Sequence, residues 1–262
     1  MINQIIEKVK RHNPLVHCIT NPISINQCAN LILGVGASPI MAEHPAEVAE
    51  ITLSADSLLL NFGNITEVRI KSMQIAAATA AEKGIPIVID VVGVACSGLR
   101  RRLALKLIEK YRPAIIKGNY SEIVALQNPE YYSAGVDAEK LGDISGIGAK
   151  LAEKNGAVVL ASGKIDIITN GKRVTRIKNG CEKLSKVTGT GCMLGALCAT
   201  YLSAAAGTEA AVAACAVLGV CGELAETEKG NGSFMISLLD NLSTLTNVEK
   251  YLKMEEQILE EI

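Results

Sequence analysis

The stretch that organises this 262-residue chain is Val187-Thr188-Gly189-Thr190-Gly191-Cys192-Met193-Leu194-Gly195-Ala196. Two glycines lie two residues apart, each after a threonine, and a run of small apolar residues then continues to about residue 206. This pattern predicts a tight turn that leads into the N-terminus of a buried helix. Glycine permits positive φ and close approach of a ligand to the backbone. The first N–H groups of a helix lack internal partners and carry partial positive charge, so the turn is a candidate phosphate site.

Cys192 falls in or beside the first turn of that predicted helix. A helix N-terminus tends to lower the pKa of a thiol, so Cys192 is a candidate to accept a proton or to act as a nucleophile. The alternative is a glycine turn that only packs the helix tightly, with Cys192 as a small core residue.

Composition and charge narrow the class of protein. Hydrophobic residues make up 49% of the chain, enough for a sizeable core. The formal net charge is −1, and a charge this close to zero argues against a general nucleic-acid binder. The eight cysteines show no zinc spacing. Several of them lie inside apolar helical segments, as expected of free thiols in a reducing compartment. The N-terminus begins an amphipathic helix rather than a signal peptide. Apolar runs over 194–206 and 210–220 are shorter than the ~20 residues of a membrane span, so we expect a cytoplasmic protein without membrane contact.

Apolar runs alternate with helical patterns along the chain. We expect strands over 15–20, 35–41, 57–63, 85–90, 114–119 and 157–163, with a hairpin over 165–169 and 173–177. We expect helices over 2–12, 25–33, 45–54, 66–83, 99–111 and 137–155, then an Ala-rich helical pair over 192–229 and two closing helices. The alternation predicts an α/β fold, with a largely parallel central sheet flanked by helices, as a single domain spanning 1–262.

Polar residues follow the predicted strands, where ligands collect in such sheets. They include Asn21, Gly63, Asp90, Lys117, Asn119 and Ser162. The glycine stretch would open its helix above the same edge, which favours a functional site over mere packing. Neither a P-loop nor a dinucleotide-binding glycine motif is present.

Several of these residues suit phosphate and metal chemistry. Asp90 and Glu122 are candidate Mg²⁺ ligands, and the alternatives are a helix cap for Asp90 and a solvated first-turn acid for Glu122. Lys117 is a candidate phosphate contact or a surface lysine, and Ser162 is a phosphate contact or a turn residue. His17 lies in an apolar strand and is interpreted as a hydrogen-bonded core histidine rather than a base.

Six segments together resemble the hydroxyethylthiazole kinase family, thiamine-salvage enzymes of the ribokinase-like superfamily. They are His17-Cys18-Ile19-Thr20-Asn21, Gly36-Ala37-Ser38-Pro39-Ile40-Met41-Ala42, Ile89-Asp90-Val91-Val92-Gly93, Lys117-Gly118-Asn119-Tyr120-Ser121-Glu122, and residues 187–192 and 230–234. The resemblance implies phosphorylation of 4-methyl-5-(2-hydroxyethyl)thiazole with ATP and Mg²⁺. It also implies a homotrimer with active sites at subunit boundaries.

The resemblance also implies roles for single residues. By this resemblance the thiazole would be bound by Asn21, Met41, Gly63 and Gly189. ATP would be bound by Lys117, Asn119, Ser162 and Thr188. The metal would be bound by Asp90 and Glu122, and the anion hole would be formed by Gly189 and Gly191. Cys192 occupies the position at which most ribokinase relatives carry an aspartate base. The chain departs from the family pattern at Val91, Lys117, Thr190 and Asn231, and Lys117 in place of an arginine removes bidentate phosphate binding.

The expected mechanism is direct in-line transfer, with Cys192 placing the substrate hydroxyl more than taking its proton. Other functions stay open at this point. A hydroxymethylpyrimidine or pyridoxal kinase can carry a similar turn, although the stretch from His17 to Asn21 and Met41 favour the thiazole enzyme. Cys192 as a covalent nucleophile lacks a suitable histidine, and a non-catalytic nucleotide-binding sensor would lack Asp90 or Glu122.

Overall fold

The computed structural model describes residues 1–128, 130–131 and 142–259. Within these ranges the helices are α1 (Ile2–His12), α2 (Ile25–Gly34), α3 (Val48–Leu53), α4 (Glu67–Lys83), α5 (Gly98–Tyr111), α6 (Tyr120–Gln127), α7 (Ile144–Asn155), α8 (Glu182–Lys186), α9 (Thr190–Leu202), α10 (Gly207–Leu224) and α11 (Asn231–Thr244). The strands are β1 (Leu15–Ile19), β2 (Ser38–Ile40), β3 (Ser57–Asn61), β4 (Ile87–Asp90), β5 (Ile115–Asn119), β6 (Val158–Ser162), β7 (Asp166–Thr169), β8 (Arg173–Ile177) and β9 (Met254–Ile258).

The strands form one sheet with the order β2-β1-β3-β4-β5-β6-β7-β8-β9. From β2 to β6 neighbouring strands are parallel, and β7, β8 and β9 continue the sheet with antiparallel pairs. This confirms the predicted α/β class with a largely parallel central sheet. Because β1, β3, β4, β5 and β6 run in the same direction, their carboxyl ends lie at one edge of the sheet.

Two apolar layers cover the sheet, because successive side chains of a strand point to opposite faces. Leu59 of β3 belongs to one core with the helices α1, α2, α9, α10 and α11. Leu58 and Leu60 belong to the other core, with α4, α5, α6 and α7. Burial on both faces explains why the strands are continuous apolar runs in the sequence. In the first layer α9 packs on β3 and β4, and this brings the N-terminus of α9 to the carboxyl edge.

Local signals fix several boundaries as expected. Thr66 accepts a hydrogen bond from the backbone N–H of Arg69 at the start of α4, and Gly84 ends that helix at φ 70°. The predicted helix over 137–155 is observed as α7 from residue 144, and residues 137–141 lie outside the described ranges. Two short helices, α6 and α8, were not among the predicted elements.

The prediction of two closing helices is wrong for the second of them. After α11 and a short 3₁₀ turn, Met254–Ile258 forms the edge strand β9, which pairs antiparallel with β8. Lys178 forms an ion pair with Glu255 across this pairing. Cross-strand hydrogen bonds and opposite charges decide the conformation of a segment whose side chains are all exposed.

The Ala-rich pair predicted over 192–229 is two helices, α9 and α10, separated at residues 203–206. α10 extends beyond both ends of the apolar run over 210–220. Its 18 residues are sufficient in length and apolarity for a membrane span, and 72% of them are buried inside the protein. A core helix of a soluble protein passes the same test, so length and apolarity do not assign α10 to a membrane.

Candidate active site

A row of three polar residues crosses the carboxyl edge of the sheet. Asn61 is the register partner of Asp90, and Asp90 is the register partner of Lys117, so the three side chains leave neighbouring strands at one level. All three are buried, with Asp90 at 0% and Lys117 at 3% exposure. Asn119 and Ser162 form a second register pair farther along β5 and β6. The sheet therefore brings the predicted strand-end residues together as expected.

The three residues of the row form a continuous network. The amide Nδ2 of Asn61 donates to Asp90 Oδ2 at 2.8 Å. Lys117 Nζ donates to Asp90 Oδ1 at 2.9 Å and to the backbone carbonyl of Gly191 at 2.9 Å. The same ammonium thus links the end of β4 to the first turn of α9.

The electrostatics of this network are those of a buried ion pair. Burial raises the pKa of Asp90, and the ammonium of Lys117 offsets part of that rise. Burial alone would lower the pKa of Lys117, but the charges of Asp90 and Glu122 more than reverse this, so the pKa of the ammonium is raised. Each charge stabilises the other at neutral pH, and removing either would leave the other buried and unpaired.

The glycine turn has the conformation that the sequence predicts. Gly189 lies at φ 94°, and α9 begins at Thr190. A Cβ on Gly189 would lie 3.2 Å from Cβ of Ser24, at the start of α2. Thr190 Oγ1 donates to the carbonyls of the preceding segment, which closes the turn. Thr188 and Gly191 are exposed while Thr190 and Cys192 are buried, so the turn reaches solvent at residues 188 and 191, beside the polar row.

Cys192 is 8% exposed and lies beside this network. The expectation of a lowered thiol pKa is wrong. Burial raises the pKa of Cys192, and the negative charge of Asp90 raises it further, while hydrogen bonding with Ser24 and Asn61 and the charge of Lys117 oppose the shift. Desolvation and a nearby carboxylate outweigh the helix N-terminus, so the sulfur carries its proton at neutral pH.

Glu122 is held by a capping box at the start of α6. Asn119 Oδ1 accepts from the backbone N–H of Glu122 at 2.9 Å, and Glu122 Oε2 accepts from the N–H of Asn119 at 2.7 Å. Glu122 Oε1 accepts from the N–H of Gly93 at 2.7 Å, in the loop after β4. Glu122 is 7% exposed, so it is a buried, hydrogen-bonded carboxylate and not a solvated acid.

The described residues supply only some of the ligand atoms that the predicted metal ion would need. Both oxygens of Asp90 and both oxygens of Glu122 already accept hydrogen bonds within the chain. In the part of the chain that the structure describes, no group of three or more His, Cys, Asp or Glu could hold a metal ion. A cation here would need oxygen ligands from elsewhere, such as phosphate groups and water.

Three of the residues predicted for substrate binding, Asn21, Met41 and Gly63, lie just after β1, β2 and β3. A Cβ on Gly63 would meet Nδ2 of Asn21 at 2.5 Å, so the two residues are in direct contact. Ser24 Oγ donates to the carbonyl of Asn21 at 3.2 Å, and Ser24 in turn touches Gly189. Met41 follows β2 at the outer side of β1 and packs, half-buried, against the core that contains Cys192.

The loop after β6 carries features that the sequence did not predict. Ser162 Oγ donates to the carbonyl of Gly118 at 3.3 Å. Asp166 accepts from the N–H of Gly163 at 3.1 Å, and the ring of Tyr120 fills the space where Gly163 would carry a Cβ. The hydroxyl of Tyr120 also donates to the carbonyl of Ile165. The loop next to Ser162 is therefore held from two sides.

Other residues of the site were also missed or given no role. Asn61 lies within the strand predicted over 57–63 and has no predicted role. Ser24 has none either, because it follows a proline turn and belongs to no motif. His17 is a core histidine as predicted: its nitrogens lie 2.9 Å from Thr52 Oγ1 and 2.9 Å from the carbonyl of Ala42. Burial lowers its pKa.

Two cavities lie away from these side chains. One of about 220 Å³ is lined by residues such as Lys8 and Asp56, and one of about 270 Å³ by residues such as Pro86 and Tyr111. Their walls include residues that precede β1, β3, β4 and β5, so both lie toward the amino ends of the strands. Neither contains a residue of the polar row or the glycine turn.

Known proteins match the chain over most of its length. The family model described as the hydroxyethylthiazole kinase family matches residues 6–248. A Clostridium botulinum (strain Hall) protein named hydroxyethylthiazole kinase 2 is 47% identical over 252 residues, which cover 93% of this chain and 95% of the relative. A hydroxyethylthiazole kinase of Clostridium acetobutylicum is 39% identical over 259 residues, covering 94% and 95%.

Solved structures agree with this. The structure of a hydroxyethylthiazole kinase protein from Pyrococcus horikoshii OT3 superposes with a TM-score of 0.91 at 32% identity, covering 98% of both chains. A Bacillus subtilis pyridoxal kinase in complex with ADP superposes with a TM-score of 0.61 at 16% identity, covering 82% of this chain and 93% of its own. The second likeness shows a shared kinase fold.

Proposed function

The chain belongs to the hydroxyethylthiazole kinase family and phosphorylates the alcohol of a hydroxyethylthiazole in thiamine salvage, and we propose that it does so from ATP, with Mg²⁺, by in-line transfer. The observation that carries the proposal is the position of the glycine turn. The first turn of α9, in which Gly191 is exposed, lies against the buried ammonium of Lys117 at the edge where β3, β4 and β5 end. Such an arrangement stabilises negative charge on a transferring phosphoryl group.

The two substrates approach the turn from opposite sides in this proposal. The thiazole alcohol binds among Asn21, Met41, Gly63 and Gly189, where Gly63 lies against the side chain of Asn21 and Gly189 lies against Ser24. The nucleotide binds on the other side, along Thr188, Asn119 and Ser162. Phosphoryl transfer needs chiefly this positioning and charge stabilisation, and little covalent chemistry from the protein.

Cys192 places the substrate hydroxyl in this proposal and does not act as a strong base. Its raised pKa keeps the sulfur protonated at neutral pH, and a thiol is a weak acceptor. A largely dissociative transition state requires little removal of the hydroxyl proton before the bond to phosphorus forms. The N–H groups around Gly189 and Gly191 hold the developing charge.

Mg²⁺ fits the site as an ion that keeps several water ligands and is shared with phosphate oxygens. Glu122 is the better placed of the two predicted carboxylates, because it is 7% exposed and each oxygen retains a lone pair beside its hydrogen bond. The ion supplies charge neutralisation for the phosphates. Asp90 is fully buried and held by Asn61 and Lys117.

We also propose a homotrimer with sites at subunit boundaries, in the cytoplasm. Ile23 lies between Asn21 and Ser24 and is 64% exposed, so a large apolar side chain projects from the turn that carries predicted substrate contacts. A second subunit would remove it from water. Light scattering on the purified protein tests this, and a monomer at all concentrations would contradict the proposed assembly.

The decisive experiment measures ADP release with Mg²⁺·ATP and a panel of vitamin-precursor alcohols, with the product identified by mass spectrometry. We expect turnover of hydroxyethylthiazole to its phosphate. Faster turnover of hydroxymethylpyrimidine or pyridoxal would assign the chain to a different substrate. ATP binding without turnover of any alcohol would indicate a nucleotide sensor, and a covalent substrate adduct on Cys192 would indicate a nucleophilic thiol.

A further inference from the structure

We propose that Lys117 and Asp90 are positioning residues that fasten the glycine turn to the sheet, and not direct ligands of ATP and of the metal. The inference rests on the proposed kinase reaction, because it concerns how that reaction's anion site is built. It differs from the roles that the family resemblance implies for both residues. Three sets of contacts lead to it.

The first concerns the ammonium of Lys117. Two of its three N–H bonds are already used, for Asp90 Oδ1 at 2.9 Å and for the carbonyl of Gly191 at 2.9 Å. A Cβ on Gly191 would lie 3.7 Å from Nζ, so the ammonium lies directly against the backbone of the turn. With 3% exposure, Lys117 lies beneath the turn and is not a free lysine at the mouth of the site.

The second concerns the carboxylate of Asp90. One oxygen accepts from Lys117 and the other from Asn61, and Asp90 is 0% exposed. A Cβ on Gly195 would lie 3.0 Å from Asp90 Oδ2, so the carboxylate also packs under the second turn of α9. A direct bond from a metal to Asp90 would have to compete with both of these hydrogen bonds in a space closed by α9.

The third set of contacts fixes the position of the proposed anion site. Asp90 ends β4, Lys117 is on β5, and Gly191 is in the first turn of α9, so the two bonds of Nζ fix that turn relative to two strands. The backbone amides of the turn are thereby preorganised, and a positive charge stays beneath them without leaving its partner. Donors fixed in advance stabilise a transition state without reorganisation during the reaction. Lysine suits this role because it acts as a compact point charge.

The test compares Asp90→Asn and Lys117→Met with Glu122→Gln, and uses Lys71→Met, an exposed lysine on α4, as the matched control. Hydrogen exchange of the amides of residues 189–193 is measured on the protein without nucleotide or Mg²⁺, and kcat is measured against Mg²⁺ and ATP concentration. We expect faster exchange at the turn and a kcat lowered roughly 10²-fold in the Asp90 and Lys117 variants, as for loss of a preorganised donor. Their half-saturating Mg²⁺ and their KM for ATP should stay within about twofold of the parent protein, and Glu122→Gln should raise the Mg²⁺ requirement.

The opposite pattern overturns the proposal. An Asp90→Asn protein with unchanged exchange at the turn and a Mg²⁺ requirement raised about tenfold would make Asp90 a metal ligand. A Lys117→Met protein with a raised KM for ATP and unchanged kcat would make Lys117 a phosphate ligand. If Lys117→Met does not fold, Lys117→Arg keeps the charge, and restoration of slow exchange by arginine is then the required result. Because hydrogen exchange is measured without substrate, it tests the positioning role even if the protein does not phosphorylate the thiazole alcohol.

Discussion

Substitution of Gly189 by alanine tests the geometry of the turn most directly. Gly189 lies at φ 94°, where an L-residue pays about 1–2 kcal/mol of backbone strain. The added Cβ would also meet Ser24 Cβ at 3.2 Å, closer than ordinary contact, so either α9 or the start of α2 must shift by a few tenths of an ångström. We expect Gly189→Ala to lose roughly 2–3 kcal/mol of folding free energy and to lose activity as well, because the turn moves.

Gly84→Ala is the matched control. Gly84 also has positive φ, at 70°, but a Cβ there meets nothing within 4 Å, and it ends α4 far along the chain from the turn. It should show the backbone strain alone, about 1–2 kcal/mol, with kcat unchanged. Thermal denaturation gives the stability difference, at roughly 2–4 °C per kcal/mol for a chain of about this size, and the ADP-release assay gives kcat.

A second-site change separates strain from contact. Ser24→Gly removes the atom that the new Cβ would meet, so the double variant with Gly189→Ala should recover part of the lost kcat while keeping the backbone strain. If Gly189→Ala matches Gly84→Ala in both stability and kcat, the position of the turn does not depend on a glycine at 189. If Ser24→Gly restores no kcat, the contact with α2 has no effect on the turn.

Two further outcomes follow from the pKa shifts and their causes. Cys192→Ala should lower kcat by less than the roughly 10²–10⁴-fold of a lost general base, with KM nearly unchanged; a fully active variant would remove the residue from the mechanism. Burial raises the pKa of Asp166 to about 6, offset in part by the N–H of Gly163, so the folded state holds a proton that the unfolded state releases near pH 4. Stability should therefore fall by up to about 3 kcal/mol as pH rises from about 4 to about 6, and Asp166→Asn should flatten that slope in urea titrations; parallel slopes for both proteins would contradict this.

The sheet could be predicted because its strands are buried on both faces. β3 and β4 are continuous apolar runs that end in polar residues, and that pattern depends only on local sequence. β9 could not be predicted in the same way, because its exposed Met-Glu-Glu-Gln-Ile segment has no apolar face. Its conformation comes from pairing with β8, about 80 residues earlier in the sequence. α8 was missed for a related reason: it has five residues and none of them is buried.

The positions of Asp90 and Lys117 at the ends of neighbouring strands could be predicted, but their partners could not. Asp90 and Lys117 each follow an apolar run, so the sequence places both at the carboxyl edge and suggests that each faces a ligand. Adjacency of β4 and β5, and the register between them, is what makes the two side chains partners of each other. The pKa of Cys192 was misjudged for the same reason, because the carboxylate of Asp90 that opposes ionisation arrives from a strand about 100 residues away.

The two interpretations of the glycine stretch, close packing and anion binding, are not alternatives. The positions where Gly189, Gly191 and Gly195 lack a side chain lie 3.2 Å from Ser24, 3.7 Å from the ammonium of Lys117 and 3.0 Å from the carboxylate of Asp90. Gly189 and Gly195 thus admit α2 and β4 more closely than a Cβ would allow, and a Cβ at Gly191 would be in ordinary contact with Lys117 of β5. The packing of α9 against the sheet therefore also shapes the proposed anion site at the helix N-terminus. A larger residue at position 189 or 195 should weaken both the packing and the proposed anion binding.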